Sequence, residues 1–195
     1  GYSVVETFGY KRINKISIMK LSKDGQTVIG GKTKLNCDCL GVSGGWTPAV
    51  HLFTQSGGKL KFREEDQVFI PDVYPSDQIS IGSCNGDFSL EEIVKNTISS
   101  LKKFLNIDNS EYKNIEIISG LNQSKRNIWL LPSDKSIGKT KSFVDYQNDA
   151  TSKDIKLALR EGFRSIEHVK RYTTTGMGTD QGKLGNMHAL GIISE

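Results

Sequence analysis

The chain has 195 residues, 36% hydrophobic and 25% charged, which is the size and composition of one ordinary globular domain or of two small ones. Every apolar run breaks within a few residues, so the sequence lacks the stretch of about 20 apolar residues that a membrane-spanning helix requires. Lys and Arg total 26 against 22 Asp and Glu, but the basic residues are scattered, which argues against a nucleic-acid partner.

The cysteines indicate a reducing, cytoplasmic compartment. Cys37, Cys39 and Cys84 are too few and too irregularly spaced for a disulfide framework or a zinc site. Cys37 and Cys39 would share one face of a strand, where they are either metal ligands or, as we favour, small buried side chains. The chain begins Gly1-Tyr2-Ser3 without an initiator Met or a signal-like segment, and we expect it to be part of a longer protein.

The first half of the sequence is dominated by β patterns. Residues 2–35 predict a hairpin or meander, with a tight-turn signal at Lys23-Asp24-Gly25-Gln26. Residues 35–45 predict a short apolar strand that ends in small residues, and 46–53 predict an irregular or one-turn helical segment. Residues 60–68 predict a polar hairpin.

One more buried strand is predicted at residues 78–82, followed by a glycine-bounded loop and a helix. Ser89 and Glu92 form a capping-box pattern, and apolar residues at helical spacing extend to about Leu105. A helix N-terminus after a glycine loop directs unpaired amides and a positive dipole end toward a phosphate or a flavin-like ring. On the residues alone, however, an ordinary βα turn is favoured, because Gly82 and Gly86 lack the full dinucleotide fingerprint.

The second half is predicted to be a connection followed by a small helical unit. The irregular connection includes a strand at Ile115–Ile118. Thr151-Ser152-Lys153-Asp154 is a second capping signature, which starts a helix that ends at Gly162. A second helix, 165–172, and a polar glycine-rich loop, 173–183, follow. Neither a Ser/His/Asp pattern nor a carboxylate pair is evident, so we expect no catalytic residue in this chain.

Three long segments of the sequence resemble one family. They are SGGWTPAVHL (43–52), FVDYQNDATSKDI (143–155) and GFRSIEHVKRYTTTGMGTDQGK (162–183). All three are similar to segments of the alpha subunits of heterotetrameric sarcosine oxidases. The resemblance spans nearly the whole chain and is far more specific than a generic nucleotide-binding pattern.

The resemblance implies an oxidoreductase subunit in a flavoprotein complex. In that family the alpha subunit holds NAD and has a folate-binding region, the beta subunit carries FAD, and FMN lies near the interface between them; gamma and delta subunits complete the complex. The implied reaction is the oxidative demethylation of sarcosine to glycine, with O2 reduced to H2O2 and the one-carbon unit passed to tetrahydrofolate. The alternatives are a subunit of a dye-linked amine or opine dehydrogenase and a non-catalytic interaction module.

The implied fold class is α/β plus α. Residues 1–107 would be the C-terminal portion of a two-dinucleotide-binding-domain (FAD/NAD(P)) fold with β-hairpins, 108–141 a connecting segment, and 142–195 a small helical BFD-like domain. The resemblance favours cofactor contact at the glycine loop, although Ser83 stands where the family's turn has an acidic residue. The residues that we expect to contact NAD are Gly82, Ser83, Asn85, Gly86, Phe88 and Leu90.

The helical domain is expected to lack a metal cluster. In related amine and opine dehydrogenases, four cysteines in this domain hold a [2Fe-2S] cluster. This sequence keeps the surrounding frame but has Asp145, Gln147, Asp180 and Gly185 at the four ligand positions. We therefore expect a scaffold that contacts the beta subunit. The loop after Thr173 either covers a flavin phosphate or the docking surface of that partner, or is an ordinary solvated loop.

Overall fold

The computed structural model describes residues 1–75, 77–106 and 127–194. Within them the chain combines strands and helices, so the predicted mixture of α and β structure is confirmed. The strands are β1 (Tyr2–Phe8), β2 (Lys15–Leu21), β3 (Val28–Asn36), β4 (Lys59–Arg63), β5 (Val68–Val73), β6 (Phe143–Asp145) and β7 (Ala150–Thr151). The helices are α1 (His51–Gln55), α2 (Leu90–Leu105), α3 (Ser152–Arg160), α4 (Ile166–Thr173) and α5 (Asn186–Ser194). The strand predicted at Ile115–Ile118 lies outside the described residues.

The chain packs as two compact units. One unit contains Gly1–Val42 and Ile128–Glu195, and the other contains Ser43–Asn127. The first three strands therefore group with the C-terminal helices. The division into segments 1–107, 108–141 and 142–195 stays a prediction. None of the helices in the described part of the chain is long and apolar enough to cross a membrane.

The first unit begins with the predicted meander, which is confirmed. Strands β1, β2 and β3 pair antiparallel in that order. The buried hydrophobic residues of this sheet are Val5, Ile16 and Met19. The hydroxyl of Ser3, which is also buried, donates a hydrogen bond to the carbonyl of Pro132 over 2.9 Å and so connects the sheet to the segment that leads into the helices.

The helices α3, α4 and α5 enclose the core of the same unit. Its fully buried members are Ile155, Ala158, Val169, Ala189 and Ile192. The helix α5 was not predicted, because Asn186–Ser194 is apolar on most sides and so gives no amphipathic period. Burial against the other two helices stabilises it instead.

The second unit contains α1, the hairpin of β4 and β5, and α2. The predicted one-turn helix, polar hairpin and long helix are confirmed. The strand predicted within 35–45 is wrong: β3 ends at Asn36, and residues 37–50 have neither strand nor helix. Glycines and Pro48 in this segment disfavour a sheet ladder.

The strand predicted at 78–82 is also wrong. Ile81 has extended dihedral angles, but no described strand lies beside residues 78–81, and a one-turn 3-10 helix, Gly82–Asn85, follows directly. An apolar segment becomes a strand only where a neighbour supplies hydrogen bonds. The predicted order of strand, glycine loop and helix is therefore reduced to a turn and a helix.

The start of α3 yields a stability prediction. Asp154 accepts hydrogen bonds from the amide of Thr151 over 2.8 Å and from its hydroxyl over 2.6 Å, as the capping signature predicts. Replacing Asp154 with Ala should lower the free energy of unfolding by about 1 kcal/mol, because the amide and hydroxyl of the N-cap residue Thr151 lose their acceptor. Chemical denaturation would measure the loss. Glu161→Ala, an exposed position beyond the other end of α3, serves as the control and should change stability little.

This cap also sets a pH dependence. The hydrogen bonds from Thr151 hold the pKa of Asp154 below its ordinary value. Its stabilisation is therefore complete above the pKa of the unfolded chain, about 3.9, and is lost as the pH falls through the lower folded pKa. The gap in stability between the native protein and Asp154→Ala should close at acidic pH. A gap that persists unchanged there would contradict the assignment.

Candidate functional site

The residues predicted to contact NAD follow one another along a compact turn. Gly82, Ser83 and Asn85 belong to the 3-10 helix, and Gly86 ends it in the left-handed conformation with φ of 82°. The amide of Gly86 donates to the carbonyl of Ser83 over 3.1 Å, and the amide of Asp87 donates to that of Gly82 over 3.2 Å. The structure thus brings four of the six predicted residues into one turn.

The other two residues lie at the entrance to α2. Phe88 is half-buried and precedes the N-cap residue Ser89, and Leu90 opens the helix with 61% of its surface exposed. The helix starts where predicted, but the capping-box hydrogen bonds between Ser89 and Glu92 are absent: the Ser89 hydroxyl makes no cap bond. Glu91 and Glu92 place two carboxylates in the first turn. They compensate the positive end of the helix dipole and make it less attractive to an anion.

Arg63 fixes the turn, and sequence reasoning missed it. Its guanidinium donates to both carboxylate oxygens of Asp66, over 2.7 and 2.5 Å, and to the carbonyl of Gly86 over 2.7 Å. The hydrogen-bonded carboxylate of Asp66 raises the pKa of Arg63. A Cβ atom on Gly86 would lie 2.7 Å from the Arg63 Nη2 atom. Gly86 is therefore required by its own backbone and by Arg63, whether or not a cofactor binds.

A second set of loops surrounds the positions of the expected cluster ligands. Asp145 is buried at the end of β6, and both of its carboxylate oxygens accept hydrogen bonds. One oxygen accepts from the amides of Gln147 (2.8 Å) and Asn148 (3.1 Å). The other accepts from the distant amide of Gly176 (2.7 Å) and from the Asn148 side chain (3.3 Å). Asp145 thereby joins the loop after β6 to the loop after α4.

The charge of Asp145 is stabilised where it lies. Burial by itself raises the pKa of this carboxyl, but the hydrogen bonds from Gly176, Asn148 and Gln147 outweigh that effect and hold the pKa below its ordinary value. Asp145 is therefore ionised at neutral pH. As an anion it accepts all four hydrogen bonds, which a protonated carboxyl would not do equally well.

The same two loops meet at a second point. The Gln147 side-chain carbonyl accepts from the amide of Thr179 over 2.5 Å and from its hydroxyl over 3.0 Å. A Cβ atom on Gly178 would overlap the Gln147 side chain, and Cβ atoms on Gly176 and Gly182 would overlap that of Asn186. The glycines of the loop are thus explained by side chains that pack against its backbone.

The four positions do not fit a [2Fe-2S] cluster. Asp145 and Gln147 use their side chains to bind backbone amides, and Asp180 accepts from the amide of Gly182 over 3.3 Å. A Cβ atom on Gly185 would lie 2.7 Å from the carbonyl oxygen of Val144, so even a cysteine there needs the backbone to shift. In the part of the chain that the structure describes, no group of three potential metal-ligating residues is found.

The cysteines differ from the favoured expectation. Cys39 is exposed and Cys37 is half-buried, because β3 ends before them and neither points into a core. The expectation of two buried side chains on one strand is therefore wrong. Cys84 is half-buried in the 3-10 helix, where its thiol donates to the carbonyl of Ile81 over 3.0 Å.

Comparison with known proteins identifies the relatives of the chain. Residues 139–195 match the family model of the Sarcosine oxidase A3 domain. The sarcosine oxidase subunit alpha of Rhizobium meliloti (strain 1021) is 32% identical over 209 residues, which cover 98% of this chain and 20% of that protein. The subunit alpha of Corynebacterium sp. (strain P-1) is 28% identical, with 93% and 19% covered. The chain therefore spans about a fifth of the length of these relatives.

A solved structure shares the fold. The crystal structure of L-proline dehydrogenase from P. horikoshii matches with a TM-score of 0.58 and 17% identity, covering 98% of this chain and 38% of that one. At this identity the likeness concerns the fold alone. The sequence matches, by contrast, confirm the resemblance that the three segments predicted: residues 139–195 match the family model of the Sarcosine oxidase A3 domain, and the chain is similar to sarcosine oxidase alpha subunits over nearly all of its length.

Proposed function

We propose that this chain is part of the alpha subunit of a sarcosine oxidase, a flavin-dependent amine oxidoreductase. The complex would demethylate sarcosine to glycine, reduce O2 to H2O2 and pass the one-carbon unit to tetrahydrofolate. The observation that carries the proposal is the similarity to sarcosine oxidase alpha subunits over up to 98% of the chain. The chain would contribute cofactor contact and subunit contact, while flavin chemistry would take place on a partner.

The proposal includes the rest of the complex. FAD and FMN would belong to it, tetrahydrofolate would bind elsewhere in the alpha subunit, and the partners would be beta, gamma and delta subunits in a cytoplasmic heterotetramer. Residues 1–107 would complete a FAD/NAD(P)-binding fold, and 142–195 would form the BFD-like domain. The name of the relatives, "subunit alpha", supports the presence of partner subunits.

NAD would contact the turn at Gly82–Asn85 and the start of α2. Ser83 is exposed in the turn, and Leu90 is exposed at the helix entrance, so both are open to a ligand. Glu91 and Glu92 disfavour the dinucleotide phosphates at this helix end. The proposed contact is therefore to the ribose or a ring of NAD, through Ser83, Asn85 and Phe88.

The helical domain would be a cluster-free scaffold that contacts the flavin-carrying beta subunit. The hydrogen bonds of Asp145 and Gln147 support this role, because they hold together two loops that a cluster would otherwise connect. The loop after Thr173 carries Met177 and Leu184, which are 50% and 73% exposed and available for subunit contact.

A dehydrogenase that passes electrons to a dye is the second candidate. The fold that the chain shares with an L-proline dehydrogenase is compatible with this candidate but does not distinguish it from an oxidase. The electron acceptor separates the two functions.

The proposed reaction predicts peroxide as a product. The purified full-length complex, supplied with sarcosine and oxygen, should form one H2O2 for each glycine, as a peroxidase-coupled assay and amino-acid analysis would measure. Omitting tetrahydrofolate should release the one-carbon unit as formaldehyde at unchanged glycine yield. Turnover that requires an added dye and leaves oxygen unconsumed would contradict the oxidase and favour the dehydrogenase.

The proposed NAD contact predicts the effect of a charge at Leu90. Leu90→Glu should reduce the NAD bound per alpha subunit at least about tenfold, because a hydrated carboxylate replaces the apolar side chain that would lie against the ribose or ring, while an acidic residue at a helix N-terminus does not destabilise the helix. Chromatography of nucleotides released from the denatured complex measures the content. Leu101→Glu, at an exposed position farther along α2, is the matched control. Full NAD content in Leu90→Glu would refute the contact.

The hydrogen bonds of Asp145 predict that replacing one of its carboxylate oxygens will lower the stability of the domain. Asp145→Asn replaces one acceptor oxygen with an NH2 group that faces N–H donors, and should cost about 1–3 kcal/mol in the unfolding of the domain. Asp149→Asn, in the same connection between β6 and β7, removes the same charge from an exposed side chain and should cost much less. Hydrogen exchange at the amide of Gly176 would locate the change.

The lowered pKa of Asp145 determines the pH range of this effect. The native carboxylate stabilises the folded domain above the pKa that Asp145 has in the unfolded chain. This contribution disappears as the pH falls through the lower folded pKa, so the stabilities of the native protein and of Asp145→Asn should converge in acid.

Iron bound stoichiometrically to the native protein, with the absorbance of a [2Fe-2S] cluster, would refute the cluster-free scaffold.

A further inference from the structure

The peptide bond between Gly86 and Asp87 joins the two groups of residues predicted to contact NAD. The turn before it carries Ser83 and Asn85, and Phe88 follows it. A rotation of this peptide would change the direction in which the chain leaves the turn, and with it the spacing of the two groups. Gly86 has φ of 82°, and because glycine has the widest range of backbone conformations, its conformation needs support from its surroundings.

Both polar groups of this peptide are held. The amide of Asp87 donates to the carbonyl of Gly82 over 3.2 Å, which is a bond within the turn. The carbonyl of Gly86 accepts from the guanidinium of Arg63 over 2.7 Å. Arg63 thus fixes, from the hairpin of β4 and β5, the end of the peptide that points away from the turn.

The guanidinium of Arg63 is itself fixed. Its Nε and Nη2 atoms donate to the two carboxylate oxygens of Asp66 over 2.7 and 2.5 Å, and the same Nη2 atom binds Gly86. The Asp66 carbonyl accepts from the Asn127 side chain over 2.9 Å. A planar fork bound to a carboxylate has a defined direction, so the carbonyl of Gly86 meets a donor that is already in place.

The packing around Gly86 places the turn against the hairpin. A Cβ atom on Gly86 would lie 2.7 Å from the Arg63 Nη2 atom and 2.8 Å from the Cγ2 atom of Ile70, a buried residue of β5. The turn is therefore in contact with the hairpin at the same point where the guanidinium binds its carbonyl. The hairpin serves as the template on which the turn is held.

We propose that Arg63 is a positioning residue for NAD binding, which acts through the carbonyl of Gly86. It holds the turn in the arrangement in which Ser83, Asn85 and Phe88 contact the nucleotide, and this role rests on the proposed NAD contact. A restraint that is present before the ligand arrives lowers the entropy lost on binding, so its removal weakens binding even where no contact to the ligand is removed. A direct contact between the charge of Arg63 and NAD is the competing explanation.

The rate of NAD release from the intact complex tests this role. The NAD that remains on the alpha subunit during dialysis would be measured by chromatography after denaturation. Arg63→Met should release NAD at least about tenfold faster than the native protein, because loss of a preorganised site acts mainly on the dissociation rate. Lys61→Met is the matched control: it removes an exposed ion pair with Asp72 (3.1 Å) from the same strand, and should change the rate less than about twofold.

Arg63→Lys separates positioning from a direct charge contact. Lysine keeps the positive charge but lacks the planar fork that binds Asp66 and Gly86 together. Release at least about threefold faster than from the native protein supports positioning, whereas release at the native rate shows that charge alone suffices and overturns it. Native release from folded Arg63→Met also overturns the proposal, since a merely structural role changes the folded fraction and not the release rate.

A second variant keeps the proposal testable if Arg63→Met does not fold. Asp66→Ala removes the carboxylate that directs the guanidinium and should speed NAD release about threefold, with Asp72→Ala as its control. Because Arg63 and Asp66 act on one carbonyl, the double variant should release NAD within about twofold of the rate of Arg63→Met. Native release from Asp66→Ala, or additive effects in the double variant, would contradict the role.

The measurements distinguish a failure of this role from a failure of the proposed function. A native complex that retains NAD, with variants that release it at the native rate, refutes the role of Arg63 and leaves the NAD contact intact. A native complex that forms H2O2 from sarcosine but contains no NAD refutes the NAD contact and the role of Arg63 together, and leaves the oxidase activity intact.

Discussion

The C-terminal helical unit depends on one buried carboxylate. Asp145 lies at the end of β6, and its four hydrogen bonds connect two loops that are 31 residues apart in sequence at Gly176. The loop after α4 leads into α5, which packs with α3 and α4 around Ile155 and Ile192, so the hydrogen bond to Gly176 holds the segment next to this core. An ionised side chain with backbone donors thus connects the two loops.

Local interactions were partly predictable from the sequence, since one of the two capping-box patterns forms and that of Ser89 and Glu92 does not, whereas those that need a distant partner were not predictable. The cap of Thr151 and Asp154 involves residues three apart, so its pattern is visible in the sequence and its hydrogen bonds form. Residues 78–82 have an equally good strand pattern, but a strand needs a neighbour, and none is present among the described residues. The helix α5 was not predicted for the opposite reason: a segment that is apolar on most sides shows no amphipathic period.

The turn at Gly82–Asn85 illustrates why glycine patterns are ambiguous. Sequence reasoning predicted the turn and the helix after it, including the N-cap at Ser89. The group that lies against Gly86 is the guanidinium of Arg63, which is 23 residues earlier, in a hairpin without a recognisable motif. A glycine required by a guanidinium and a glycine required by a cofactor have the same one-letter pattern, and only the described contacts separate the two causes.

Electrostatics limits what a helix N-terminus can contribute in this chain. At the start of α2, the positive end of the dipole already has Glu91 and Glu92 beside it. At the start of α3, Asp154 lies in the first turn and serves the cap. In both helices the chain's own carboxylates compensate the dipole, so a glycine loop followed by a helix start does not by itself attract an anion. The motif at Gly82–Leu90 therefore predicts the turn and the helix, whereas the charges around the helix end decide what kind of ligand group can lie there.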